Sequence, residues 1–303
     1  MAISRSSIAR QLQLGLNTVW GLEYQDLAPE FSRVFKIENS KKAYEEDVLM
    51  TGLGNAQIKP EGSAVAYDEG SEAWTSRYDH KTIALAFSIT EEAIEDNLYM
   101  QLGSKLTRAL ARSMQNTKEI TAANVLNNGF AGSGVLGGDG KTLLASDHPL
   151  AGGGTASNIL GTPADISEAA IEELLIQIRK AKDDRGIPIA LRPVDMVIPP
   201  DLEYVACRLL DSSLRTNTAD NDINAINKKG IFGREPVIMT RLTDSDSWFI
   251  KTDAMDGLKM FTRVAVQFKT EPDFNTGNFR SKARERYAFG HSDWRGLYGS
   301  SGA

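Results

Sequence analysis

Cysteine is almost missing from this chain: Cys207 is the only one. An internal disulfide and a thiolate metal cluster are therefore excluded, and folding in a reducing compartment is expected. The apolar neighbours Val205, Ala206, Leu209 and Leu210 predict a buried, inert thiol. Histidine is scarce too. His80, His148 and His291 lie far apart, and no pair has metal-ligand spacing. No run of about eighteen apolar residues exists, so nothing is expected to span a membrane. The opening MAISRSSIARQLQLGL lacks the apolar core and cleavage site of a signal peptide. An excess of positive charge is also absent. The net charge is −6, which argues against a protein gripping nucleic acid over its whole surface. Neither G-x-x-x-x-G-K-[ST] nor G-x-S-x-G occurs.

What remains is an ordinary globular balance: 303 residues, 41% hydrophobic and 24% charged. Residues 4–22 predict an amphipathic helix through Ile8, Leu12, Leu16 and Val19 or Trp20. With the charged stretch Glu38–Asp47 they make an arm too poor in apolar residues to fold alone. Residues 52–88 predict a long polar hairpin, with Val65 and Tyr67, Trp74 and Tyr78, then Ile83, Leu85, Phe87 and Ile89 alternating. An isolated hairpin is marginal in water, so this one needs a partner surface. Residues 90–127 predict a helix of roughly 55 Å. Its start is marked by Ser88/Glu91 or Thr90, and its stripe runs Ile94, Leu98, Leu102, Leu106, Leu110, Met114.

A Gly-rich loop follows over 128–164. Next come a helix over 165–184 with an Asp165/Glu168 capping box, a strand over 194–198, and a helix opened by Pro199 and Pro200. Residues 212–230 read as a polar loop. Strands are expected at 236–241, 247–251, 257–262, 264–269 and 278–290. Arm and hairpin both want surfaces the monomer does not supply, the mark of a subunit stabilised partly by its neighbours.

Catalytic signals are weak. Gly132, Gly134 and Gly137 spell G-x-G-x-x-G, but after a helix and before more glycine, where a dinucleotide fingerprint needs a strand and then a helix. Ser146, Asp147 and His148 are adjacent on one loop, whereas a triad draws on separate segments. Glu45/Glu46 and Glu172/Glu173 read as solvated charge. One pattern stands out: Arg280, Lys282, Arg284 and Arg286 alternate along a strand and share a face, with Phe279, Ala283, Tyr287 and Phe289 opposite and Glu285 interrupting the apolar set. Like charges so placed repel unless matched by DNA phosphate, a neighbour's carboxylates or solvent. The hairpin, around Trp74, carries Glu61, Asp68, Glu69 and Glu72 with few local cations. We expect this acidic hairpin to dock near the basic strand of an adjacent subunit.

Three segments carry a resemblance. Arg284–Gly299, RERYAFGHSDWRGLYG, resembles the C-terminal signature of Mu-like major head proteins of tailed bacteriophages. DGKTLLASDHP at 139–149 is similar to the family's loop after its long helix. VIPPDLEYVACRLLDS at 197–212 looks like a strand-to-helix segment of the shell's axial domain. The resemblance implies an α+β, HK97-type capsid fold: an N-terminal arm (1–47), an extended loop (48–89), a peripheral domain with its spine helix (90–162), an axial domain (163–260) and closing peripheral strands (261–303). It implies a non-enzymatic major capsid protein, without cofactor or metal, forming pentamers and hexamers of an icosahedral head. The expected partners are copies of itself, packaged double-stranded DNA held without sequence preference, a portal, a decoration protein and a scaffold. The scaffold is expected to be a separate protein, because the arm begins almost at Met1. Assembly is expected in the host bacterial cytoplasm and residence in the virion. An encapsulin-like nanocompartment shares the fold and so competes with the virion. A nucleotide-binding enzyme using the glycine loop, and a tail or decoration component, compete less strongly.

Overall fold

The computed structural model describes residues 18–21, 23–24, 28–90, 92, 99–131, 136–214, 222–273 and 276–303. Most of the N-terminal helix expected over 4–22 lies outside them, although 18–21, 23 and 24 are helical. The start of the long helix, including Glu91, Ile94 and Leu98, also lies outside.

Two four-stranded sheets carry the chain. The first has the order β1-β10-β11-β4, from Lys36–Asn39, Leu258–Pro272, Phe279–His291 and Lys81–Ile89. β1 runs parallel to β10, and the other pairs are antiparallel. The second has the order β12-β9-β7-β8, from Leu297–Ser300, Trp248–Thr252, Pro193–Ile198 and Val237–Ile238. The two strands expected at 257–262 and 264–269 are one strand, β10. Register shifts between Thr262 and Val264 and between Val264 and Gln267 break its alternation, because an extra residue in a ladder turns the following side chains over.

The polar hairpin is built differently from the expectation. β2 (Tyr44–Met50) pairs antiparallel with β3 (Glu72–Asp79), and the segment 51–71 projects between them. The next strand, β4, leaves that ribbon and pairs with β11 instead. The spine helix, α1 (Tyr99–Asn127), crosses one face of the first sheet. There Leu110, Ala111 and Met114 bury Trp20 and Ala283, with Ile83, Phe87 and Phe268 packed around them.

β7 shows how one short strand joins two cores. Its side chains alternate, so Val197 enters a core with Leu126, Phe249, Met260 and Tyr287, while Met196 and Ile198 enter another with Ile171, Leu174, Ile178 and Tyr298. Its neighbour β9 repeats the pattern, with Phe249 on one side and Trp248 and Ile250 on the other. The second core is roofed by α2 (Glu168–Arg179), α3 (Glu203–Asp211) and α4 (Ala225–Lys229). α2 is capped by Ser167, whose side chain accepts from the Ala170 N–H, not by Asp165. Asp165 accepts from the Ala303 N–H instead. α4 occupies the stretch expected to be loop, because Asn224 accepts from the Ile226 and Asn227 N–H groups and Gly230 closes the helix with φ of 56°. Cys207 is exposed, contrary to expectation. It stands one helical step from buried Ala206 and so looks outward, where its thiol donates to Asp211 at 3.3 Å.

At the junction of the two sheets the backbones of Gly257 and Gly296 cross. A Cβ on Gly296 would lie 2.4 Å from the Gly257 Cα.

Candidate interaction surfaces

β11 carries the charge pattern seen in the sequence. Arg280, Lys282 and Arg284 are exposed and Arg286 is half-buried, while Phe279, Ser281, Ala283, Glu285 and Tyr287 alternate inward. Residues directly opposite share a face, so Ala84, Ala86 and Ser88 of β4 and Gln267, Lys269 and Glu271 of β10 flank these cations. Arg280 pairs with Asp273 at 2.6 Å within the chain. Lys282 and Arg284 form no ion pair among the described residues, and the Arg286 Nε is buried without a partner. The inward face is where sequence reasoning stopped short. Glu285 is not a break in an apolar set but half of a buried ion pair, at 3.0 Å from Lys118 of α1. Burial pushes the Glu285 carboxyl up from its usual range, and the Lys118 ammonium opposes this.

The acidic residues of the projecting segment do not meet these cations within one chain. Glu61, Glu69 and Glu72 are exposed. Asp68 has a local cation after all. The Arg185 guanidinium binds it in bidentate fashion, with Nη2 at 3.2 Å from Oδ1, and the Gly54 N–H adds a bond of 2.6 Å. The Arg185 hydrogen bond, with that N–H, holds the Asp68 carboxyl below its usual range. Trp74 is half-buried, with its indole N–H buried and unpartnered. The segment also exposes large apolar side chains: Ile58 and Tyr67 are each 97% exposed, and Leu53 and Val65 more than half.

His148 is fully buried and belongs to no triad with Ser146 and Asp147. Its Nδ1 lies 2.7 Å from Asp139, its Nε2 lies 3.2 Å from Asn158 Oδ1, and its ring stacks on Trp294 with centroids 4.5 Å apart. Asp147 turns outward to Lys141. Asn158 ties the knot, since its amide donates to the carbonyls of Leu143, Trp294 and Leu297. The stretch 139–149 is thereby bound to the closing segment, a packing role for His148. Residues 132–135 of the glycine motif lie outside the described residues. Among those described, no three His, Cys, Asp or Glu side chains converge on a metal-sized site, and no helix is long and apolar enough to cross a membrane.

A family model described as phage capsid protein matches residues 72–300. The chain belongs to the phage capsid protein family. Solved structures agree on the fold. The capsid of an empty GTA particle is 13% identical, covers 91% of each chain and superposes with a TM-score of 0.56. The virus-like particle from Pyrococcus furiosus is 11% identical over 94% of this chain and 97% of the other, with a TM-score of 0.53. Microbacterium phage Oxtober96 gives 11% identity over 91% and 92%, with a TM-score of 0.51. No curated protein matches. The architecture is the α+β, HK97-type capsid fold. This phage capsid protein thus has the fold of capsid shell subunits. These matches do not favour a nanocompartment or a nucleotide-binding enzyme. A structural capsid subunit also accounts for side-chain clusters that serve packing and pairing.

Proposed function

We propose that this phage capsid protein assembles into pentamers and hexamers of a tailed-phage head of the Mu-like type, enclosing double-stranded DNA that it holds by enclosure more than by grip. One observation carries the reading. The segment 51–71 leaves the body of the subunit with Ile58 and Tyr67 almost wholly in water, a cost that a neighbour's surface removes. Residues 1–47 serve as the arm, 48–89 as the extended loop, 90–162 and 261–303 as the peripheral domain, and 163–260 as the axial domain. Assembly takes place in the host bacterial cytoplasm on a scaffold, with a portal at one vertex and a decoration protein on the outside. Each contact is weak alone, but a subunit makes several, and linked contacts multiply.

Within that assembly, Glu61, Glu69 and Glu72 of one subunit, with Trp74 at the loop's base, lie near Lys282, Arg284 and Arg286 of the next. Asp68 and Arg280 contribute less, since Arg185 and Asp273 already engage them.

Negative-stain electron microscopy of the purified protein, alone and with its scaffold, tests the reading. Closed shells or rings of five or six support it, and a small monodisperse species under both conditions overturns it. Lys282→Glu with Arg284→Glu should block assembly, and reversing Glu69 and Glu72 as well should partly restore it. Normal shells from the first variant remove the loop-to-strand pairing and leave the shell intact as a conclusion.

A further inference from the structure

The helices over the second sheet leave two unlike surfaces. Between α2 and α4 runs a groove of about 720 Å3. Its floor is apolar and includes Ile231 and Ile176, the latter 53% exposed. Arg179, Lys180, Arg192 and Lys229 stand around it, all exposed. Among the described residues none of the four forms an ion pair, and Glu172 is the single acid on the groove wall. Cations gathered around an apolar floor repel one another and leave hydrocarbon wet. An acidic occupant with an apolar body relieves both.

The second surface is the outer face of α3 and of the 3-10 turn Pro200–Leu202 before it. Ala206 and Leu210 are buried beneath the helix. On the other side Asp201, Tyr204, Cys207 and Asp211 follow at steps of three and four residues, so they form one ridge. Tyr204 is 73% exposed at its centre. Glu203 flanks the ridge and Arg208 is its one cation. Acidic ends with an aromatic ring between them are the chemistry the groove lacks.

We propose that the α3 ridge of one copy seats in the α2–α4 groove of a second copy, Tyr204 against Ile176 and Ile231, Asp201 and Asp211 among the rim cations. This inference rests on the shell reading and names a contact inside it. The two patches differ, so the contact is heterologous, and a heterologous contact closes into a ring when its rotation divides the circle. Tyrosine suits such an interface because it buries a broad rigid ring while its hydroxyl stays hydrated.

The sequence supplies half of the test, since Cys207 lies on the ridge and is the only cysteine. Ile176→Cys and, separately, Lys180→Cys place a thiol in the groove of otherwise unchanged full-length protein. Oxidised shells of either variant should run on a non-reducing gel as a ladder of covalent oligomers ending at a closed ring, whereas parent shells run as monomer. In parallel, Lys180→Glu with Lys229→Glu should raise the subunit concentration needed for assembly about ten-fold, and adding Asp201→Lys with Asp211→Lys should lower it again. Shells visible by microscopy with no ladder from either cysteine variant overturn the ridge-in-groove contact and leave the capsid reading standing. Failure of the parent protein to form any ring or shell overturns both.

Discussion

Lys118 of the spine helix donates to Glu285 of β11 across 3.0 Å, with both side chains nearly removed from water. The Lys118 ammonium also sits over the Tyr287 ring at 5.3 Å and the Phe31 ring at 5.8 Å. The pair fastens the helix to the sheet whose other face carries the basic row. Removing one partner strands the other charge in the interior, which costs about 3–5 kcal/mol. Lys118→Met and Glu285→Leu should each lower the stability of the unassembled subunit by about that much in urea unfolding. The double variant should recover most of the loss, because two apolar groups replace a pair whose burial was itself expensive. Single losses that simply add would show that the two residues act independently.

This pair also marks where the sequence stops being readable. The alternation of β11 is legible because a strand covered on one face repeats every two residues. So is the apolar stripe of α1 over Leu110 and Met114. The pairing of Lys118 with Glu285 spans 167 residues and leaves no local trace, so Glu285 reads as a break in a pattern it completes. Asp68 and Arg185 are likewise separated by 117 residues, and the acidic loop therefore reads as lacking a cation. Other differences are local. Cys207 has apolar neighbours in sequence, but helical rotation turns it outward beside buried Ala206. Ser167, two residues after Asp165, has the extended backbone with φ of −146° that a cap requires. A bulge cannot be seen in a stretch of mixed residues, so β10 reads as two strands. The exposed loop, in contrast, is legible, since its scarcity of large side chains is a matter of composition.

The Asp68–Arg185 pair ties the projecting loop to the turn after α2. Both residues are substantially exposed, at 45% and 29% of their side chains, so water screens the attraction and its worth in global stability is small. Arg185→Ala should leave the unfolding midpoint close to the parent's. The same change should hasten limited proteolysis between residues 51 and 71, because the tether is local while the stability is global. An unchanged cleavage rate would show that other bonds, such as Thr51 to Ser71, hold the loop.

The crossing of Gly257 and Gly296 leaves no space for a side chain. Gly296→Ala would set a methyl group 2.4 Å from the Gly257 Cα, and backbone cannot yield as a side-chain tip can. A loss of about 3 kcal/mol is expected, of the size seen for overpacked cores. Gly161→Ala is the control, because no atom lies within 4 Å of a Cβ built there. Thermal unfolding of the two variants should separate them by several degrees, and equal melting would mean that the strands at the crossing slide apart freely.

His291 ends β11 in an interior setting with an unpartnered Nδ1. Burial lowers its pKa from 6.5 to about 4, Asp139 opposes that shift, and His148 adds to it. Between those two values the unfolded chain binds a proton that the folded chain refuses, so stability rises with pH across the window and is lost as pH falls through it. The linkage is worth about 3 kcal/mol. His291→Phe removes this titration while keeping a ring in the cavity. Urea unfolding from neutral pH down to about 4 should therefore show the parent losing more stability than the variant, with the difference levelling off in the acid. Asp139 is the opposing charge that faces this ring. Burial pushes its carboxyl up, but hydrogen bonds from His148 and the Lys141 N–H outweigh burial and hold it low. Because Asp139 is held below its usual range, it stays charged over most of the window, and the difference between the curves reports chiefly on His291. Parallel curves would mean that water reaches the ring and solvates its charged form.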